Sequence, residues 1–390
     1  MTKEAFNERW NTNSMKWDML EERYNNPDLW PMWVADMDFQ APQPVLEAMR
    51  EVLDHGIFGY HVRPKSLYKA VQGWLSRRFS WEVNTDQMVF TPGVVPSISH
   101  LIQTFTEEGD GVIIQTPVYY PFFPLVRNHN RHLIQNPLVE TESGYEINFT
   151  ELESQMKEGA RMIVLCSPHN PVGRVWTKAE LEEVARLAEV YNVFVVSDEI
   201  HADLIFQGEH VPFVHAAKGY QVETATCLAP SKTFNIASLQ LSYVVFENSS
   251  LQRRFENQLK TNFVGIDNPL ASAACEAAYN EGEQWLEDLI AYLKGNIAYL
   301  KAQVAENMPE IKVFEPEGTY LVWMDFRGLG LYGEDLQTWL REEAGLALND
   351  GHMFGEAGNG FARMNIACPR SHIEKGVQLL QHAYEQKAVK

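Results

Sequence analysis

The stretch VFVVSDEIHAD, residues 193–203, decides the fold. Its apolar residues run together without the polar alternation of a half-exposed strand. Such a run marks a strand covered on both faces, as in a parallel sheet with helices on either side. It ends in a carboxylate, Asp198, with His201 three residues on. A carboxylate at that depth needs a cationic partner, or it simply caps the next helix.

Reading outward, QMVF (87–90), GVIIQ (111–115), RMIVLC (161–166), ATCLA (225–229) and SYVVF (242–246) carry the same pattern. Helical patterning separates them. PVLEAMREVLDH starts a helix near Pro44 that stops at Gly56, and another is expected from Pro96 to Phe105, with Pro96 at its first position. Thr177 and Glu180 make a capping box before a helix to about Tyr191. The expectation is an α/β fold whose large domain, 47–284, has a mainly parallel central sheet flanked by helices.

After residue 285 the rhythm changes. A long helical stretch (284–304) precedes KVF, TYLVWMDF, a helix near 334–344, LALN and FARMNIA, and a last helix with Ser371 and Glu374 spaced as a second capping box. This reads as a smaller α+β domain, 285–390, with an antiparallel sheet. Residues 1–46 read as irregular, yet hold Trp10, Trp17, Trp30 and Trp33. Four tryptophans do not suit a loose tail, so the segment is expected to pack on the body or on a partner subunit and to join the small domain.

Acidic residues number 52 and basic 32, a net charge of −20. That field repels nucleic-acid phosphates and anionic lipid headgroups, so neither is an expected partner. No apolar run approaches the ~18 residues of a membrane span, and MTKEAFNERW has no apolar core of a secretory signal. Cysteines 166, 227, 275 and 368 form neither a metal-binding cluster nor a disulfide framework. A reducing cytoplasm and no metal are the expectations.

In open α/β sheets, ligands bind at the carboxyl ends of the strands. TPGVVPS follows QMVF, and its backbone N–H groups at a helix start suit a phosphate. TPVYYPF follows GVIIQ, where a tyrosine stacks on a flat ring or only packs. SPHNPVG follows RMIVLC, and Asn170 there is either a turn residue or an amide aimed into a cleft. APSKTFN follows ATCLA and brings Lys232. Pyridoxal phosphate would use the whole series: a phosphate, a flat ring, a ring nitrogen wanting an acid, and an aldehyde wanting a lysine. Arg363, in GFARMNIACPR, lies on one face with Phe361 and Asn365. It is either an edge-strand arginine in solvent or a guanidinium that grips an amino-acid carboxylate.

SPHNPVG, SDEIHADL, APSKTFN and FARMN together resemble fold-type I pyridoxal-phosphate enzymes of the aminotransferase class I/II superfamily. With WVADMDF (33–39) and HGIFGY (55–60) they are similar to its carbon–sulfur lyase branch, the cystathionine β-lyases of the PatB type and the related maltose-regulon modulator. The resemblance covers nearly the whole chain. It implies that Lys232 is catalytic and binds pyridoxal 5′-phosphate, that Asp198 pairs with the ring nitrogen, and that Asn170 and His201 serve the ring oxygen. Tyr119, rather than Tyr120, stacks on the ring. Val94, Val95 and Ser231 hold the phosphate, with Tyr60 from the neighbouring subunit of a homodimer. Arg363 holds the substrate carboxylate, with Tyr60, Ala35 and Asp36 beside the substrate. His201 stands where many aminotransferases have a tyrosine, and Gln240 where many have a phosphate-binding arginine. The implied activity is β-elimination from cystathionine or other cysteine S-conjugates, Cys-Gly conjugates among them, to a thiol, pyruvate and ammonia. An aminotransferase and a regulatory, protein-binding role on the same fold are the alternatives.

Overall fold

The computed structural model describes residues 6, 8–142, 144–265 and 268–389. Seven strands form the main sheet: β1 (Met88–Thr91), β2 (Gly111–Ile114), β3 (His132–Gln135), β4 (Ala160–Cys166), β5 (Phe194–Asp198), β6 (Thr224–Leu228) and β7 (Ser242–Val245). Their spatial order is β1-β7-β6-β5-β4-β2-β3. All neighbours pair in parallel except β7, which runs antiparallel to β1 and β6. Along β4 and β5 the side chains alternate between two apolar layers. Met162, Val164 and Val196 join one, while Ile163, Leu165 and Val195 join the other. Both faces are therefore dry, which is why these strands show no polar alternation in sequence.

Helices α1 (Gln43–His55), α2 (Lys65–Phe79), α3 (Val94–Phe105), α4 (Lys178–Tyr191), α5 (Ser249–Thr261) and α6 (Pro269–Glu281) belong to this part of the chain. Helix α1 ends on Gly56 at φ +71°, a left-handed position that glycine tolerates. The Thr177–Glu180 capping box forms at the start of α4. Two expectations need correction. Helix α3 begins at Val94, so Pro96 is its third residue rather than its first. A proline fits there equally, since none of the first N–H groups has an intrahelical acceptor. The final helix begins at Arg370, so Ser371 lies inside it and cannot be the N-cap of a second box.

Helix α7 (Glu283–Asn307) leads to four more strands: β8 (Lys312–Phe314), β9 (Leu321–Asp325), β10 (Asn349–Asp350) and β11 (Phe361–Asn365). They form an antiparallel sheet in the order β8-β9-β11-β10, followed by α8 (Arg370–Val389). No helix among the described residues is long and apolar enough to cross a membrane.

The N-terminal segment is more regular than its sequence suggests. It forms two short helices, Met15–Asp18 and Leu20–Tyr24, and Trp30–Pro31 pair in parallel with Leu346–Ala347. The Trp17 ring meets Trp10, Trp30 and His372 edge-on at centroid distances of 5.0, 5.4 and 5.5 Å. Beside them Asp38 is buried and accepts from Lys16 Nζ at 2.6 Å, Trp17 Nε1 at 2.9 Å and Arg9 Nη1 at 2.9 Å. Against the upward push of burial, Lys16, His372 and Trp17 hold its carboxyl well below the usual range. Cys368 and His372 also approach Asp38, but the Lys16 ammonium already takes the cationic place there. Removing one partner of a buried ion pair strands the other charge. Lys16→Met is expected to lower unfolding stability by about 3 kcal/mol in a urea titration.

Candidate active site

The carboxyl edge of the main sheet gathers the reactive side chains. Asp198 ends β5 and is buried, accepting from the Ile200 N–H at 3.1 Å. Burial raises its pKa to about 7; the Ile200 N–H and Lys232 oppose the rise and Glu199 adds to it. Next in the sheet, β6 runs into one helical turn, Pro230–Thr233, which carries Ser231 and Lys232. Thr233 Oγ1 donates to Asp203 Oδ2 at 2.8 Å, and Trp74 Nε1 reaches the same oxygen at 3.3 Å. These bonds fix the turn, and so the root of the Lys232 side chain.

Lys232 Nζ donates to the carbonyl of Ala35 at 2.7 Å. Its pKa is pushed down to about 8, by burial first and by Arg363, while Asp36 and Asp198 raise it. A lysine in that range exists in both forms near neutrality, as a base or a carbonyl-binding amine requires. Lys232 and the 34–40 segment line a cleft of about 470 Å³ that also includes Arg9 and Asn235.

Arg363 comes from β11, an interior strand of the small sheet, and is 2% exposed. The edge-strand reading is thereby excluded. Its Nη1 donates to Asn170 Oδ1 at 2.9 Å, and its Nη2 to Asn349 Oδ1 at 2.5 Å and to the Trp33 carbonyl at 3.3 Å. The guanidinium lies 4.8 Å from the Phe354 ring centroid. Its Nε has no hydrogen-bond partner, and no carboxylate is paired with it among the described residues. Burial lowers its pKa to about 10.

His201 is buried, its Nδ1 without a hydrogen-bond partner, and burial holds its pKa well down, so the ring is neutral. Asn170 is buried at the end of the β4 loop. Tyr119 is half-buried and its pKa rises to about 12, chiefly through burial. The first residues of α3 are Val94 and Val95, and no side chain caps that end. Their N–H groups are free to receive an anion.

Lys232, Asp198, Arg363, Asn170, His201, Ala35 and Asp36 thus come together through shared contacts and charge coupling. Tyr60 does not. It is 98% exposed, in a segment where Ile57, Phe58 and Val62 are also exposed. Gln240 is exposed at φ +55°. Sequence reading missed four residues that shape the site. Tyr320 donates its hydroxyl to the Ala35 carbonyl at 3.0 Å, beside Lys232. Asn349 and Phe354 seat Arg363. Asn235, three residues after Lys232, binds the 37–39 backbone through three hydrogen bonds. Only Asn235 had a sequence signal, its place inside the SKTFN motif.

These groups fit pyridoxal phosphate. The carboxyl edge of the main sheet offers an amine of lowered pKa, a buried carboxylate with no bonded cation, a neutral imidazole and an uncapped helix start. The chain belongs to the aminotransferase class I and II family, whose model matches residues 33–380. Its fold is that of the pyridoxal-phosphate enzymes of fold type I. It is 40% identical to cystathionine β-lyase PatB of Bacillus subtilis, over 96% of this chain and 98% of that one. It is 36% identical to protein MalY of Escherichia coli, over 96% and 97%. The crystal structure of cystalysin from Treponema denticola, which contains pyridoxal 5′-phosphate, superposes with a TM-score of 0.95 at 36% identity over all of both chains.

Asp198 makes a pH prediction. Its folded pKa of about 7 lies above the ordinary 3.8, so between these values the native state binds more protons than the unfolded one. Stability therefore falls as pH rises through this window and levels off above it. In cofactor-free protein, Asp198→Asn is expected to be more stable than wild type at pH 8, by on the order of a few kcal/mol. Urea midpoints should converge as pH drops toward 4.

Proposed function

We infer that the protein is a pyridoxal-phosphate-dependent carbon–sulfur β-lyase, cleaving cystathionine or other cysteine S-conjugates to a thiol, pyruvate and ammonia. The observation that carries this is the charge coupling of Lys232 to Asp198 and Arg363 in a chain so similar to a cystathionine β-lyase. The cofactor supplies an aldehyde for the substrate amine and a ring that withdraws the electron pair from Cα. Lys232 would hold it, and the same Nζ is the base for the Cα proton. Asp198 keeps a proton on the ring nitrogen, for which its raised pKa and burial suit it once a cation stands opposite. Asn170 and neutral His201 would serve the ring oxygen, and Tyr119 would stack on the ring. Val94, Val95 and Ser231 would hold the phosphate. Arg363 offers its free Nε and its Nη groups to the substrate carboxylate, a charge-assisted pairing it lacks within the protein.

The exposed apolar strip Ile57–Val62 supports a homodimer in which Tyr60 reaches the neighbouring site. Four free, buried cysteines suit the cytoplasm. We divide the chain at 46/47 and 284/285, which fall within the first turns of α1 (Gln43–His55) and α7 (Glu283–Asn307).

The test is pyruvate release from L-cystathionine and from a simple S-alkyl-cysteine, with no keto acid added. Wild type should release pyruvate from at least one of them. Lys232→Ala should lose at least ~10³-fold in kcat. Arg363→Ala should lose roughly 10²-fold or more in kcat/KM, since it removes the carboxylate's charged partner. Turnover only in the presence of a keto acid would establish an aminotransferase instead.

A further inference from the structure

Asp36 follows the carbonyl that holds Lys232, and both side chains line the same cleft. Its Oδ2 is fixed by Arg9 Nη2 at 2.7 Å. Its Oδ1 is buried and has no hydrogen-bond partner. The contrast with Asp38, two residues on, is informative. Asp38 has donors from Lys16, Trp17 and Arg9 on its two oxygens, and its role is to pin the N-terminal arm. Asp36 is held by one oxygen and presents the other unused. A buried acceptor without a donor is costly, and a cation beside it offsets the cost.

The charged and titratable groups around Lys232 Nζ come from four elements. Asp36, with Arg9 behind it, belongs to the N-terminal arm and its loop. Asp198 and His201 stand at the end of β5, and Arg363 comes from β11. Tyr320 precedes β9 and shares the Ala35 carbonyl. Arg363 repels a positive Nζ, and His201 is neutral. Of the two carboxylates, Asp36 acts on Lys232 more strongly than Asp198. Asp198 is also committed to the ring nitrogen once the cofactor is bound, which leaves Asp36 as the counter-ion nearest in role to Nζ.

We propose that Asp36, oriented by Arg9, is the positioning residue that stabilises positive charge on Lys232 Nζ during the reaction. This rests on the lyase reading of Lys232. When Nζ takes the Cα proton, the C–H bond breaks, an N–H bond forms and the electron pair stays with the substrate. That pair then forms the Cα–Cβ double bond as the C–S bond breaks, and sulfur leaves as a thiolate with the bonding pair. The ammonium formed in the first step shares the cleft with the Asp36 carboxylate, whose charge favours the proton on Nζ.

The test is a pH titration of the visible absorbance of bound pyridoxal phosphate in the holoenzyme. Wild type is compared with Asp36→Asn, which keeps an acceptor for Arg9, and with Asp36→Glu, which keeps the charge. Asp36→Asn should lower the pKa of the Nζ-linked chromophore by about one unit, a tenfold loss of proton affinity. Asp36→Glu should stay close to wild type. A second readout is competitive acetylation of Lys232 in cofactor-stripped protein, where the amine pKa should fall below about 8 in Asp36→Asn. An unchanged titration in Asp36→Asn, or an equal drop in Asp36→Glu, overturns the proposal. A wild type with no visible absorbance refutes the cofactor reading instead, and the acetylation data still decide the role of Asp36.

Discussion

The bond from Arg363 Nη1 to Asn170 Oδ1 joins the two halves of this protein at 2.9 Å. Arg363 stands in the small sheet and Asn170 in the loop that follows main-sheet strand β4. A buried guanidinium normally meets a carboxylate, because desolvating the charge costs several kcal/mol. Here the acceptors are two side-chain amides, a backbone carbonyl and the face of Phe354. Neutral acceptors hold the group in place without neutralising it. The site is therefore built around an unsatisfied positive charge, and its position depends on both sheets at once.

The same economy recurs around it. Asp198 is a buried carboxylate with a single backbone donor, and Lys232 a half-buried amine on a single carbonyl. Each would be better stabilised by a partner that the chain does not supply. In an ordinary core such groups would be replaced by apolar residues at a gain in stability. Their survival together, at the ends of neighbouring strands, is the mark of a site preorganised for a charged ligand. The net charge of −20 does not contradict this, because the cleft's local donors act at contact distance while the surface field is screened within ~10 Å.

How much of this was legible in sequence follows from how local each signal is. The buried strands were plain, because double-sided coverage writes itself as an unbroken apolar run such as RMIVLC. The Thr177 box was plain, because both partners lie within four residues. The Ser371 box had the same spacing and did not form, because the helix already starts at Arg370 and spacing alone does not fix where a helix begins. Lys232 and Asp198 were legible from their place after strands and from family motifs. Asn349, Phe354 and Tyr320 were not, because each acts through a contact across the fold and carries no local pattern. The short helices of residues 15–24 were hidden for a related reason. At four and five residues they are too short to show a period, and the tryptophan cluster on His372 packs against them.

The 33–39 loop explains why a site of underpartnered charges is nonetheless definite. Asn235, from the large part, donates to the Met37 and Phe39 carbonyls and accepts from the Met37 N–H. Asn365, from the small sheet, donates to the Val34 and Asp36 carbonyls, and the Asp38 N–H donates to Ala367. The loop is thus bonded on both sides, with the Ala35 carbonyl between them receiving Lys232 from one side and Tyr320 from the other. It cannot follow one half of the molecule without releasing the other. A carbonyl with two donors and a backbone fixed at both flanks leaves Lys232 little freedom before any substrate arrives. Orientation is then supplied by folding rather than at the moment of reaction, which is where such a site gains most.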